Sequence, residues 1–105
     1  MTQTNMTWIE GAVVETEIHM TIVELAHASR TPEDLIMAWV SEGVLSPVGS
    51  SPQEWRFGGD SLKRARIAAH LTHDLDLNTP GVALALDLLE EISQLRKRLQ
   101  RENLG

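Results

Sequence analysis

Cysteine is missing from all 105 residues, which excludes disulfides, thiolate metal sites and cysteine nucleophiles by inventory. Long apolar runs are missing too. No stretch approaches the roughly 20 residues of a membrane span, and residues 1–10 show no basic segment followed by an apolar one, the mark of a secretory signal. Both absences suit a protein of a reducing cytoplasm that is neither secreted nor inserted. Positive charge is scarce in one half. Residues 1–55 hold eight acids against the single base Arg30, while residues 56–105 hold eight bases against seven acids, for a net charge of −6. Such a lopsided chain favours a basic partner for its acidic half, although surface acids also serve solubility alone.

A chain of this length supplies one domain with a modest core and little depth for a shielded catalytic cleft. With 42% apolar and 23% charged residues and no low-complexity tract, the composition is that of a folded protein. Residues 1–16 read as an N-terminal extension, disordered in part. Residues 17–105 read as a single domain.

The loose alternation over Val13 to Met20 predicts a short strand. Thr21 with Glu24 three residues later is a capping box, starting a helix near Ile22 with Ile22, Leu25 and Ala26 on its buried side. A second start signal follows in Thr31-Pro32-Glu33-Asp34: Thr31 as cap, Pro32 at the first helical position, and acids at the positive end of the dipole. Leu35, Ile36, Trp39 and Val40 form the apolar side of this second helix, and Gly43 closes it. Two helices joined so tightly make a helix-turn-helix frame.

Beyond Gly43, two short apolar runs flank a cluster of Ser, Pro and Gly, predicting a β-hairpin wing with a loose tip over residues 46–53. Trp55 and Phe57 lie two apart and share one face of its return strand, packing the core or standing exposed for binding. Asp60 caps a third helix to about Leu75. Asn78-Thr79-Pro80 starts a fourth, over about residues 79–101. In it Ala85, Leu88, Ile92, Leu95 and Leu99 step by four and three, the spacing of a coiled-coil seam. The same stripe could pack within its own chain, but so late in the sequence few partners remain, which favours a homodimer.

The second helix carries Glu33, Asp34 and Glu42 and no Lys or Arg. DNA affinity rests mainly on cations that neutralise phosphates, so this helix is repelled from a groove and the frame is redirected to protein. The candidate partner-binding face is Glu33, Asp34 and Glu42, with Trp39 at its edge unless Trp39 is buried. Lys63, Arg64 and Arg66 could still grip phosphates from outside the reading helix, which keeps a MerR-type DNA-binding regulator open as the alternative. A dimeric adaptor with some other partner is the third reading. Arg96, Lys97, Arg98 and Arg101 suit a helix C-terminus.

Four segments, Met20-Thr-Ile-Val-Glu-Leu25, Gly43-Val-Leu45, Trp55-Arg-Phe57 and above all Leu71-Thr-His-Asp-Leu-Asp-Leu-Asn-Thr-Pro-Gly-Val-Ala-Leu-Ala-Leu-Asp-Leu-Leu-Glu-Glu-Ile92, resemble the small bacterial chaperone modulators called CbpM. The resemblance covers roughly residues 17–100 and departs in the longer N-terminal extension up to about Thr16. It implies a mainly α, MerR-like winged helix-turn-helix with a long C-terminal dimerisation helix. It also implies a bacterial, cytoplasmic, non-enzymatic inhibitor that binds the J-domain of the DnaJ-like co-chaperone CbpA and blocks its access to the Hsp70 chaperone DnaK. No motif that marks the family's interface can be matched residue by residue.

Catalytic chemistry finds little support. His70 and His73 lie three apart on the third helix beside Asp74, but a structural metal site needs four ligands and no cysteine or second pair completes it. His19 and His27 are isolated. No serine sits in a Gly-x-Ser-x-Gly turn, and Gly58-Gly59 precedes an acid rather than a phosphate-binding Lys. We expect no enzyme, no cofactor, no direct nucleic-acid contact and no membrane contact.

Overall fold

Thr21 stands in extended conformation (φ −74°, ψ 168°) at the head of α1 (Ile22–Ser29). Its hydroxyl accepts from the Glu24 N–H at 3.1 Å, and the Glu24 carboxylate accepts from the Thr21 N–H at 2.9 Å. This reciprocal box satisfies two of the four N–H groups a helix start leaves free. In this computed structural model the described residues are 8–9, 12–13 and 19–104. They form a two-stranded antiparallel pair, β1 (Trp8–Ile9) with β2 (Ala12–Val13), then α1, α2 (Glu33–Ser41), α3 (Gly59–Leu75) and α4 (Thr79–Leu104). The fold is mainly α. Much of the extension over residues 1–16 lies outside the described residues, as does most of the strand expected over Val13 to Met20. Of that strand's ends, Val13 belongs to β2 and Met20 forms a single bridge to Phe57.

Arg30 ends α1 in the left-handed region (φ 55°, ψ 45°). Its N–H donates to the His27 carbonyl and the Thr31 N–H donates to the Ala26 carbonyl, the paired bonds that stop a helix within one residue. Only Pro32 then separates Thr31 from α2. The residue capping α2 is Pro32, not Thr31: the Thr31 hydroxyl donates back to the Ser29 carbonyl at 3.1 Å, leaving that helix start without a side-chain cap. At its other end Gly43 sits at φ +81°, just past the Glu42 cap. The Gly43 N–H bonds the Val40 carbonyl and the Val44 N–H bonds the Trp39 carbonyl. This closure turns Val44 inward beside Trp39, both in the core.

The expected wing is one bridge deep on each side. Val48 and Arg56 exchange both backbone bonds, at 3.0 and 2.8 Å, and next along the chain Phe57 exchanges both with Met20 at 2.8 Å. Phe57 is wholly buried, and Trp55 is half-buried with its ring edge-on to Phe57 (centroids 6.1 Å apart, 83°). Both aromatics therefore pack the core. The cap of α3 is Gly58 rather than Asp60, which lies within the first turn. Asn78 caps α4, its Oδ1 accepting from the Gly81 N–H at 2.8 Å.

The core gathers Leu25 of α1, Ile36 and Trp39 of α2, Val44, Leu45 and Phe57, Ala65, Ala68 and Leu71 of α3, and Val82 and Leu86 of α4. Its small residues lie on α3, which packs between α1 and α4; alanines there let three helices approach closely. Burial in α4 stops at Leu86. Every residue from Asp87 to Asn103 is exposed, although the helix runs 26 residues, about 39 Å at 1.5 Å per residue. Among the described residues no helix is long and apolar enough to cross a membrane.

Candidate functional site

The acids expected to form one face fall on a helix whose core side is set by Ile36 and Trp39. At about 100° per residue, Asp34 lies about 100° from Glu33 around the axis and Glu42 about 180° from it. Glu33 and Asp34 are thus neighbours in the first turn, exposed and beside the positive end of the helix dipole. Glu42 is also exposed, but stands at the opposite rim and the opposite end. The structure brings two of the three acids together and sets the third apart.

Trp39 leaves the expected face altogether. It is 0% exposed and packs among the core residues, so the placement at the edge of the acidic surface is corrected: lying three residues on from Ile36, it shares the inward side of α2 with that residue. Its indole Nε1 has no hydrogen-bond partner among the described residues, a cost accepted by a core that uses the ring for volume.

Met37 lies only about 40° from Glu33 around α2 and is 43% exposed. Facing it from α1 is Val23, 59% exposed. The two side chains line one cleft of about 560 Å³ with Ile22, Glu33 and the loop residues Pro52 and Gln53. A second, shallower hollow continues from the same Val23 and Glu33 toward His27, Arg30 and Pro32. Val23 and Met37 were not among the residues expected to act. Their signal was an apolar side chain standing off each helix's buried stripe, which an amphipathic reading discards as noise.

The basic cluster on α3 is divided. Arg64 donates from Nε to the Val44 carbonyl at 2.8 Å and lies 3.6 Å from the Glu90 carboxylate, so it ties α3 to the end of α2 and to α4. Its guanidinium is committed to the fold, which corrects its place among the free cations. Lys63 and Arg66 are exposed. His70 pairs through Nδ1 with Asp74 at 2.7 Å, one turn along the exposed side of α3, rather than with His73. Among the described residues no three His, Asp or Glu side chains gather as a metal site would require.

The seam expected on α4 starts one step later than its spacing implied. Ala85 is half-buried against the protomer's own core, beside buried Leu86 and Val82. Leu88, Ile92, Leu95 and Leu99 are 45–58% exposed, forming an apolar row open to solvent along a helix whose contact with α3 at that height includes the Arg64–Glu90 pair.

Two short helices joined by a tight turn, a one-bridge wing and a long terminal helix define a MerR-like helix-turn-helix protein, and residues 20–103 match the model of the MerR HTH family regulatory proteins. The chain is 41% identical over 92 residues, 88% of its length and 87% of the relative's, to the Chaperone modulatory protein CbpM of Coxiella burnetii (strain Dugway 5J108-111). It is 40% identical over 74 residues to the Chaperone modulatory protein CbpM of Pseudomonas putida (strain W619), and 38% identical to that of Pseudomonas entomophila (strain L48). Each of these two alignments covers 69% of this chain and 73% of the relative. The chain belongs to the CbpM family of chaperone modulatory proteins.

Proposed function

We propose that this protein is a non-enzymatic chaperone modulator of the bacterial cytoplasm that binds the J-domain of a CbpA-like co-chaperone and blocks its access to the Hsp70 chaperone. The observation that carries this reading is the charge of α2. Where a DNA-reading helix would present cations, α2 presents Glu33 and Asp34 side by side and holds no Lys or Arg. A fold suited to a polyanion is thereby made unfavourable for one and favourable for a cationic protein surface. The relatives' name, chaperone modulatory protein, supports the same conclusion.

Occlusion needs no cofactor and no chemistry, only a surface held in place by the core beneath it. A homodimer would present two such surfaces, and the apolar row Leu88, Ile92, Leu95 and Leu99 supports pairing of α4 with a second copy. The test is Hsp70 ATPase activity stimulated by the co-chaperone. Adding this protein lowers the stimulated rate in a saturable manner and leaves the basal Hsp70 rate unchanged; an unaltered stimulated rate refutes the reading.

A second reading, direct DNA binding, draws on exposed Lys63 and Arg66 and on the regulatory family whose model the chain matches. Regulators of that kind bind their sites at roughly 10⁻⁸ to 10⁻¹¹ M. A gel shift at moderate salt separates the two readings: the J-domain reading expects no shifted band.

A further inference from the structure

We infer that the partner enters the cleft between α1, α2 and the wing loop, and that Val23, Met37 and Glu33 hold it while Asp34 and Glu42 only steer its approach. The inference rests on the J-domain reading above and names the part of the surface that does the holding.

Three observations carry it. Val23 and Met37 are the exposed large apolar side chains of the helix-turn-helix, 59% and 43% accessible, and they stand across one cleft from each other. An apolar pair left open at the surface and rimmed by polar groups is the usual makeup of an interface centre. Second, Glu33 lines this cleft and the hollow next to it, whereas Asp34 and Glu42 line neither. A charge at the edge of an apolar contact is desolvated when the contact closes and so affects how long the complex lasts; a charge on the open rim affects mainly how often it forms. Third, the cleft is electrically one-sided. Glu33 marks its α2 wall, and the cation Arg30 lies only in the adjoining hollow beyond it.

The occupant that fits is a helix of a cationic protein. It offers an apolar side chain to Val23 and Met37, with a Lys or Arg one turn away set against Glu33 and directed away from Arg30. A nucleic acid fits poorly, because its phosphates would meet Glu33 with no cation inside the cleft.

The experiment titrates the full-length chain and its variants against the full-length CbpA-like co-chaperone by calorimetry, with on- and off-rates from surface-immobilised co-chaperone. Met37→Ala and Val23→Ala should each weaken affinity by about fivefold or more through faster dissociation, and Glu33→Gln should do the same. Asp34→Asn and Glu42→Gln should change affinity less than about twofold while slowing association at low salt. Thermal midpoints should stay within a few degrees of the wild-type value, since all five side chains are exposed and Glu33 and Asp34 each lose only a helix-dipole interaction of about 0.3–1 kcal/mol. Wild-type affinity in both Met37→Ala and Val23→Ala overturns the cleft while leaving the J-domain reading in place. The absence of heat with the unmodified protein overturns that reading and the cleft with it.

Discussion

Arg64 on α3 donates its Nε hydrogen to the Val44 carbonyl, 2.8 Å away and 20 residues earlier in the chain. Val44 is the residue turned inward by the Gly43 closure, so this one bond fixes the exit of α2 against α3. The same guanidinium lies 3.6 Å from Glu90, whose side chain is 59% exposed.

These two contacts of Arg64 differ in weight. Replacing Arg64 with Met leaves a part-buried carbonyl without its donor, which costs about 1–2 kcal/mol. An ion pair open to solvent is worth about 0–1 kcal/mol and fades with salt, so Glu90→Gln should cost under about 0.5 kcal/mol. At about 4–8 °C per kcal/mol for a chain of this size, thermal denaturation should lower the midpoint clearly for Arg64→Met and barely for Glu90→Gln. Equal shifts would mean that the ion pair, not the backbone contact, matters.

Gly43 and Gly49 both hold positive φ, at 81° and 127°, but for different reasons. A methyl group on Gly43 meets nothing within 4 Å, whereas one on Gly49 would stand 2.6 Å from the Glu54 carbonyl oxygen. Gly43→Ala therefore carries only the backbone cost of a left-handed residue, about 1–2 kcal/mol. Gly49→Ala adds a collision with backbone that must move, and it breaks the Val48–Arg56 bridge next to it. Urea denaturation should rank Gly49→Ala as the more destabilised, and amide exchange should show its loss of protection confined to the wing.

Reversing the charge of Glu33 and Asp34 to Lys should weaken binding to the co-chaperone and make the remaining affinity less dependent on salt, at a cost in stability limited to their interaction with the helix dipole, about 1–2 kcal/mol for the pair. Both acids are exposed and join no hydrogen bond or ion pair among the described residues. Trp39 provides the contrast. Trp39→Ala empties the largest buried side chain and should cost about 3–5 kcal/mol, so any binding it loses is lost with the fold. Unaltered calorimetric affinity in the double charge reversal would remove this end of α2 from the interface.

Much of this architecture is legible in the residue order because local rules and burial agree. The Thr21–Glu24 box marks the observed start of α1 and Gly43 the observed close of α2. Legibility fails where a choice depends on distant parts of the chain. Nothing near Arg64 in sequence announces Val44 or Glu90, so it reads as a free cation. Trp39 reads as either the edge of the acidic face or a buried apolar-side residue, and only the assembled core decides for burial. Asp60 resembles a cap, but the chain enters α3 through Gly58, two residues earlier, directly after Phe57 completes its bridge to Met20. Val23 and Met37 become a pair only when the wing loop at Pro52 and Gln53 completes the cleft.

The exposed row on α4 yields the last prediction. A helix segment with every residue from Asp87 to Asn103 exposed gains little tertiary packing from its own chain beyond contacts such as Arg64–Glu90, and such packing supplies most of a helix's stability. Pairing Leu88, Ile92, Leu95 and Leu99 with a second copy buries the row. Charge selects the direction of that pairing. Acids Asp87, Glu90 and Glu91 flank its start, while Arg96, Lys97 and Arg98 flank its end, so an antiparallel pair sets acids against bases and a parallel pair sets like against like. Leu95→Asp should halve the mass found by light scattering and reduce helicity in circular dichroism, because the freed segment frays. Adding salt should weaken the wild-type dimer modestly, by screening those flanking pairs. A mass unchanged by Leu95→Asp would show that the row is covered in some other way.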